Sequence, residues 1–72
     1  MVGDNIKHIR VSRGLSLEDL AKRADMTKVG IWQIETGKSS PTMKSLEKIA
    51  KAFYMPVSEL VSEDRERGAA IR

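Results

Sequence analysis

Two short segments with helical apolar spacing follow each other along the chain, with only two or three residues between them. In the first, Ser16 is a candidate N-cap residue, and Asp19 stands where a capping-box partner belongs. Its apolar positions follow the spacing i, i+3, i+4, i+7: Leu17, Leu20, Ala21 and Ala24. In the second, Thr27 is a candidate N-cap, and Ile31 and Ile34 form the inward pair. Because the link is so short, we expect the two helices to cross steeply and in close contact.

The residues near this junction suit such a crossing. Ala21 faces inward in the middle of the first helix, and its small side chain lets the second helix approach. Asp25 lies where the chain reverses, and Asp is one of the few residues besides Gly that tolerate the left-handed conformation. The pattern indicates a helix-turn-helix motif, whose second helix is presented to the major groove of DNA.

Three further helices are predicted around this pair. One begins near Val2 and is closed by Gly14, one follows the N-cap candidate Thr42, and a short one has Pro56 in its first turn. Their apolar positions are Val2, Ile6, Ile9, Leu46, Ile49, Ala50, Phe53, Val57, Leu60 and Val61. Because no segment alternates with period two, the sequence predicts an all-α fold of five helices.

The charge of the chain is concentrated in its first 61 residues. The 72 residues carry a net charge of +3, and residues 1–61 hold ten Lys or Arg against seven Asp or Glu. Residues 62–72 hold three of each, and residues 62–68 include no apolar side chain. We therefore expect one small domain, residues 1–61, followed by a charged flexible tail, residues 62–72. The net positive charge is compatible with a polyanionic partner.

Composition excludes several classes of protein. With no Cys and a single His, the sequence offers no disulfide, no thiolate metal site and no His-based zinc site. No nucleophile and acid–base pair stand at a usable spacing, so we expect neither an enzyme nor a cofactor. No stretch approaches the length of a membrane span, and the N-terminus does not resemble a signal peptide. We therefore expect a cytoplasmic protein without a membrane partner.

Taken together, the motifs resemble those of the Cro/C1-type helix-turn-helix family, the DNA-binding module of lambda-like phage repressors and many small bacterial regulators. Their order and spacing carry the resemblance, since each one alone is weak. The matching residues are Ile6, Arg10, Gly14, 16–21 (SLEDLA), 31–38 (IWQIETGK), Pro41-Thr42 and 46–50 (LEKIA). The resemblance implies a compact five-helix, lambda repressor-like fold that binds double-stranded DNA and regulates transcription, as a repressor does.

The family also implies roles for individual residues. The recognition helix is expected at residues 27–36, with Ile31 and Ile34 toward the core and four side chains toward the bases: Lys28, Val29, Trp32 and Gln33. Phosphate contacts are expected from Ser16, Thr27, Lys38, Ser39, Ser40, Thr42 and Lys44. A largely buried ion pair between Arg10 and Glu35 is expected to join the first helix to the third.

Four positions depart from the family pattern. Leu17 replaces a residue that is usually Gln, which removes an expected phosphate contact. Asp25 and Tyr54 stand where Gly is common, so Tyr54 must avoid or bear the strain of a positive φ. Trp32 stands where a small polar residue is common. Its side chain has three readings: a contact in the groove, packing over Lys28 or a neighbouring loop, or part of a protein-binding patch with Val29.

One recognition helix offers little surface for tight specific binding, so a homodimer on a symmetric operator is expected. Its contact is expected from Met55, Val57 and Val61, with Ile71 as a further candidate. Phage repressor, restriction–modification controller and toxin–antitoxin regulator all fit, and a protein co-regulator is compatible with each. The alternative is a protein-interaction or antitoxin-type module that keeps the fold and reads DNA weakly or not at all.

Overall fold

The computed structural model describes residues 2–62, and within this range the chain forms five helices and no strand. The helices are α1 (Val2–Ser12), α2 (Leu17–Ala24), α3 (Lys28–Glu35), α4 (Met43–Ala52) and α5 (Val57–Leu60). The all-α, five-helix prediction is confirmed. The expected tail spans residues 62–72. Residues 63–72, which include the candidate contact residue Ile71, lie outside the described residues.

Three helices begin at the N-cap residues that the sequence predicts. The Ser16 hydroxyl accepts from the Asp19 N–H, and the Asp19 carboxylate accepts from the Ser16 N–H, which completes the capping box. The hydroxyl of Thr27 accepts from the Gly30 N–H at 2.9 Å, and that of Thr42 accepts from the Ser45 N–H at 3.0 Å. Each bond satisfies a donor that a helix start leaves without a partner.

The turn between α2 and α3 takes the conformation that its sequence permits. Asp25 lies in the left-handed region with φ 55° and ψ 49°. The Met26 N–H donates back to the Ala21 carbonyl at 2.9 Å, which closes α2 in the manner of a Schellman motif. Three residues separate the two helices, and α3 packs directly on α2.

A single apolar core holds the five helices together. Its largest fully buried side chains come from every helix or its flanking residue: Ile6, Leu20, Ile31, Ile49, Phe53 and Leu60. Ala21, Ala24 and Ala50 add small buried side chains that let α2 approach α3 and α4. This core fixes the orientation of α3, because Ile31 and Ile34 are both part of it.

Two contacts of α1 were not predicted from the sequence. Gly3 is buried, and a Cβ atom placed on it would collide with the backbone carbonyl of Ile34. Asn5 is 5% exposed and its side-chain amide donates to the Leu60 carbonyl, which joins α1 to α5. Gly3 and Asn5 therefore share the buried face of α1 with Ile6, and this face packs against α3 and α5.

The connection between α4 and α5 bears the strain of a positive φ at Tyr54 rather than avoiding it. Tyr54 has a φ of 59° and is 88% exposed, so a bulky residue occupies a backbone conformation that glycine adopts more easily. Pro56 is the N-cap of α5 rather than a residue of its first turn, and α5 ends at Leu60 instead of including Val61. The proline still suits this place, because its fixed φ and missing N–H cost nothing outside the helix.

Candidate nucleic-acid interface

Helix α3 has one buried face and one exposed face. Ile31 is fully buried and Ile34 is 5% exposed. The four side chains on the other side are all exposed, and we call them the α3 strip: Lys28, Val29, Trp32 and Gln33. The structure therefore brings together the four residues that the sequence places on one side of this helix.

The N-terminal end of α3 is held by its own cap. Gly30 donates its N–H to the Thr27 hydroxyl, and a Cβ atom on Gly30 would lie 2.9 Å from that oxygen. The close neighbour of this glycine is therefore a residue of the same helix start. The Thr27 hydroxyl is exposed and keeps its proton, so it can still donate to an external acceptor.

The C-terminal end of α3 is held by an ion pair with α1. Arg10 Nε lies 2.7 Å from Glu35 Oε2, and Arg10 Nη2 lies 3.0 Å from Glu35 Oε1. The two side chains are only 11% and 3% exposed, and Arg10 also donates to the Leu15 carbonyl at 2.9 Å. A two-pronged geometry of this kind fixes orientation as well as distance. With Gly3 against the Ile34 carbonyl, it makes α1 a brace for α3.

Trp32 packs against the loop that follows α3. The Lys38 ammonium lies 5.7 Å from the centroid of the indole ring, and Trp32 remains 41% exposed. A cation–π contact at such an exposed site contributes about 0.5–1 kcal/mol. Of the three readings of Trp32, packing over a neighbouring loop is thus present. The exposed part of the ring is still free to meet a partner.

A group of exposed polar residues surrounds the start of α4. Lys38, Ser39 and Ser40 form the loop before it, and all three are exposed. Helix α4 has no acidic residue in its first turn, and Lys44 is exposed there. Because a helix N-terminus carries partial positive charge, this end of α4 suits an anion. The Thr42 hydroxyl already bonds Ser45, so the N–H groups and lysines offer the available donors.

The start of α2 is less suited to an anion. The Ser16 N–H donates to Asp19 Oδ2 at 2.9 Å. This bond, and after it the interaction with the Ser16 hydroxyl, holds the pKa of Asp19 below its usual value. Glu18 adds a second acidic residue to the same turn. Leu17 is half-buried against the core. The expected phosphate contact at Ser16 therefore has only the hydroxyl to offer, next to two carboxylates.

The three candidate residues for a dimer contact differ in exposure. Met55 and Val57 are half-buried and pack against the chain's own core. Val61 follows α5 and is 47% exposed. A shallow groove of about 480 Å³ lies between the end of α4 and the start of α5, and Met55 and Val57 are among the residues that line it.

Two contacts that sequence reasoning missed hold α4 against α1 and against the turn before α3. Arg13 lies over the Phe53 ring at 5.3 Å and donates to the Phe53 carbonyl, which joins the end of α1 to the end of α4. Lys48 reaches the Asp25 carbonyl at 3.4 Å, which joins α4 to the turn between α2 and α3. Neither pairing has a local sequence signal, because the partners are far apart along the chain.

The described residues contain no group of three or more His, Cys, Asp or Glu side chains placed to hold a metal ion. Among them there is also no helix with both the length and the apolar character that crossing a bilayer requires.

The comparisons with known proteins agree on a family. A family model described as "Helix-turn-helix" matches residues 6–60. The cryptic phage CTXphi transcriptional repressor RstR of Vibrio cholerae is 35% identical over 63 residues, which cover 88% of this chain and 57% of RstR. The chain thus spans little more than half the length of that curated relative.

Two solved structures share the fold closely. A crystal structure of SinR, the master regulator for biofilm formation, in complex with DNA has a TM-score of 0.78 at 32% identity, covering 85% of this chain and 98% of that chain. A SinR–SinI protein complex has a TM-score of 0.82 at 32% identity, covering 93% of this chain and 66% of that chain. From the family match, the relatives and the five-helix architecture, the chain belongs to the helix-turn-helix family of the Cro/C1, lambda repressor-like type.

Proposed function

We propose that this chain is a sequence-specific DNA-binding transcriptional regulator of the repressor type, with α3 as the helix that enters the major groove. The observation that carries this proposal is the α3 strip, exposed on a helix that is fixed at both ends. A rigid exposed helix with protruding polar side chains is what groove reading requires. The name of RstR, a repressor, and the SinR complex with DNA support the same function. Since a regulator works where the DNA is, the proposal includes a cytoplasmic location.

Each member of the α3 strip suits a particular base contact. Lys28 can donate to O6 or N7 of guanine, and the Gln33 amide can pair with adenine. The exposed side chains of Val29 and Trp32 together offer an apolar surface. Good contacts of the polar kind discriminate against a wrong base by about 1–3 kcal/mol each.

Phosphate contacts are proposed mainly around α4. Lys38, Ser39, Ser40 and Lys44 are exposed around the start of this helix, where its dipole also favours an anion. Further contacts are proposed from the Thr27 hydroxyl, the N–H groups that follow Thr42 and, more weakly, Ser16. Such contacts set the position of the protein on DNA and carry the salt dependence of binding.

The binding form is proposed to be a homodimer. A single α3 strip of four side chains is small compared with the surfaces that specific DNA-binding proteins bury. A second copy doubles the contacts and reads two half-sites about one helical turn apart. Val61, exposed at the end of α5, is the main candidate contact, and Met55 and Val57, which line the shallow groove at the α4–α5 junction, are further candidates.

A second candidate function is a protein-interaction or antitoxin-type module. It is favoured by Val29 and Trp32, which expose apolar surface on the α3 strip, and by Leu17, which replaces an expected phosphate contact. The existence of a SinR–SinI complex is a precedent for protein binding by a protein of this fold.

Titration of the chain into a random-sequence duplex at two salt concentrations separates the two functions. DNA binding weakens with salt at a log–log slope of about −0.9 per phosphate neutralised, so Lys38 and Lys44 together predict a slope of about −2 per protomer. Lys44→Ala should reduce that slope by about one. Exposed Lys7 on α1 gives the matched control, since Lys7→Ala should leave the slope unchanged. Negligible binding at low salt would contradict the proposed function and favour the protein-interaction module.

A further inference from the structure

The four residues of the α3 strip are arranged in a definite order around the helix. At about 100° per residue, the order is Lys28, Trp32, Val29, Gln33. The two polar side chains therefore lie at the edges of the strip, and the two apolar ones lie at its centre. Val29 is 61% exposed and Trp32 is 41% exposed, so the centre presents real apolar surface.

The centre of a helix face that lies in a groove reaches deepest toward the base pairs. In the major groove nearly every group on a base edge is a hydrogen-bond donor or acceptor, and burying one against an apolar side chain without a partner is unfavourable. The exception is the methyl group on C5 of thymine, which is also present in 5-methylcytosine. An apolar centre therefore has one good complement in this groove.

From this geometry we propose that Val29 and Trp32 read the C5-methyl groups of pyrimidines, so that the bound site carries methylated pyrimidines opposite the middle of α3. This inference rests on the proposed DNA binding and gives its specificity. Lys38, 5.7 Å from the indole centroid, packs against the ring and limits the positions that Trp32 can take. An indole ring held in this way presents the same edge to each DNA site that α3 meets.

The size of the apolar centre favours base methyl groups over a protein partner. Two side chains on one helix match one or two methyl groups in area. A stable protein interface needs a total buried area of about 1,000 Å² or more. Lys28 and Gln33 border the apolar centre on both sides, which suits the mixed chemistry of a base-pair edge better than an apolar docking surface.

The test uses the full chain and the duplex that it enriches most strongly from a random library. Each thymine is replaced in turn by deoxyuridine, which lacks only the C5-methyl group. Where a methyl group contacts Val29 or Trp32, we expect affinity to fall about fourfold for each one removed, as the burial of one methyl-sized group predicts. In a second arm, 5-methylcytosine at the same position should bind more tightly than cytosine. The two arms separate thymine from 5-methylcytosine as the natural source of the methyl group.

A matched pair of variants locates the effect. Val29→Ala should bring the thymine-to-uracil affinity ratio at its position close to one. Val11→Ala removes the same atoms from an equally exposed valine on α1 and should leave the ratio unchanged, since Val11 is 58% exposed outside the α3 strip. Trp32 is the only Trp in the sequence, so its fluorescence reports directly on the strip, and we expect the emission to change when the selected duplex binds.

The possible outcomes separate this inference from the proposed function. If the chain enriches a site and that site tolerates uracil at every thymine without loss, methyl reading is wrong while DNA binding stands. If in addition Trp32 emission is unchanged by the duplex, the apolar centre faces away from DNA and the protein-binding reading replaces it. If no duplex binds even at low salt, the proposed function itself fails.

Discussion

Tyr54 combines almost full exposure with a positive φ, and the two together imply a backbone cost that its contacts do not offset. Its φ is 59° and its side chain is 88% exposed. A non-glycine residue in this region costs about 1–2 kcal/mol. The sequence allowed either avoidance or strain at this position, and only the backbone of the α4–α5 connection decides between them.

Tyr54→Gly should therefore raise the free energy of unfolding by about 1 kcal/mol, which is the relief of the strain less the extra freedom of glycine in the unfolded chain. Urea denaturation measures the change. Tyr54→Ala keeps the strain and should give no increase. A Gly variant that is no more stable than the Ala variant would show that the backbone there is relaxed.

Gly3 matters for a different reason, which is the closeness of α1 to the end of α3. A Cβ atom on Gly3 would collide with the Ile34 carbonyl, and backbone atoms cannot move aside as a flexible side chain can. The sequence gives no sign of this contact, because a glycine near a helix start is usually tolerated for local reasons. The partner lies more than thirty residues away along the chain.

Gly3→Ala should lower the free energy of unfolding by about 1–3 kcal/mol despite the better helix propensity of alanine, as overpacking of a tight contact predicts. Thermal or urea unfolding tests this. Lys7→Ala on the exposed side of α1 is the control and should stay within about 0.5 kcal/mol of the wild type. Equal stability of Gly3→Ala and wild type would mean that α1 does not approach α3 so closely.

At the scale of the helices, the sequence predicts starts and ends better than mutual contacts. Ser16, Thr27 and Thr42 were each predicted as N-caps, and each accepts from an N–H three residues on. Because such bonds join residues only three positions apart, their pattern can be recognised from the sequence. Asn5 and Gly3 instead contact α5 and α3, and these pairings depend on how the helices pack.

The capping box of α2 makes a prediction about acid stability. The Ser16 N–H lowers the pKa of Asp19, so the deprotonated carboxylate favours the folded state. This contribution is complete above the usual aspartate pKa and is lost as the pH falls below about 4, through the lower pKa of the folded state. Asp19→Asn should therefore be less sensitive than wild type to acid in that range. Free energies of unfolding measured from pH 7 to pH 2 test this, and parallel curves for the two proteins would contradict it.

Helix α3 shows which features of the candidate interface the sequence predicts and which it does not. The sequence predicts its inward pair and its exposed strip from the spacing of Ile31 and Ile34 alone. The ion pair between Arg10 and Glu35 came from the family resemblance, and the structure contains it with both prongs formed. The sequence does not identify Lys38 as the residue that packs on Trp32, because a long lysine side chain in a loop has many possible neighbours.

At the scale of the whole fold, one copy offers a single exposed face of α3 to DNA. One core holds five short helices, and one α3 strip faces outward. The sequence predicts this architecture because apolar residues at helical spacing occur in five short segments, and three of these segments begin at an N-cap residue. The contact surface of the proposed homodimer is less firmly predicted. Of Met55, Val57 and Val61, two turn out to be half-buried in their own protomer.

Val61→Asp should weaken a dimer formed through the end of α5, because it places a charge on the exposed apolar contact. We expect the dimer dissociation constant to rise at least about tenfold, which corresponds to about 1.4 kcal/mol. Sedimentation equilibrium measures it. Val11→Asp, at a valine on α1 that is also exposed, should leave the constant unchanged. Equal effects of both variants, or none, would place the dimer contact elsewhere.

The central claim is that the α3 strip reads DNA sequence, and selection from a random duplex library tests it most directly. Wild type, Lys28→Ala and Gln33→Ala are carried through the same selection, with Lys7→Ala as the control. We predict that wild type and the control enrich the same site, and that each strip variant loses preference at its own base pairs, by about 1–3 kcal/mol per lost contact. Enrichment of one identical site by all four proteins, or of no site by wild type, would contradict the claim.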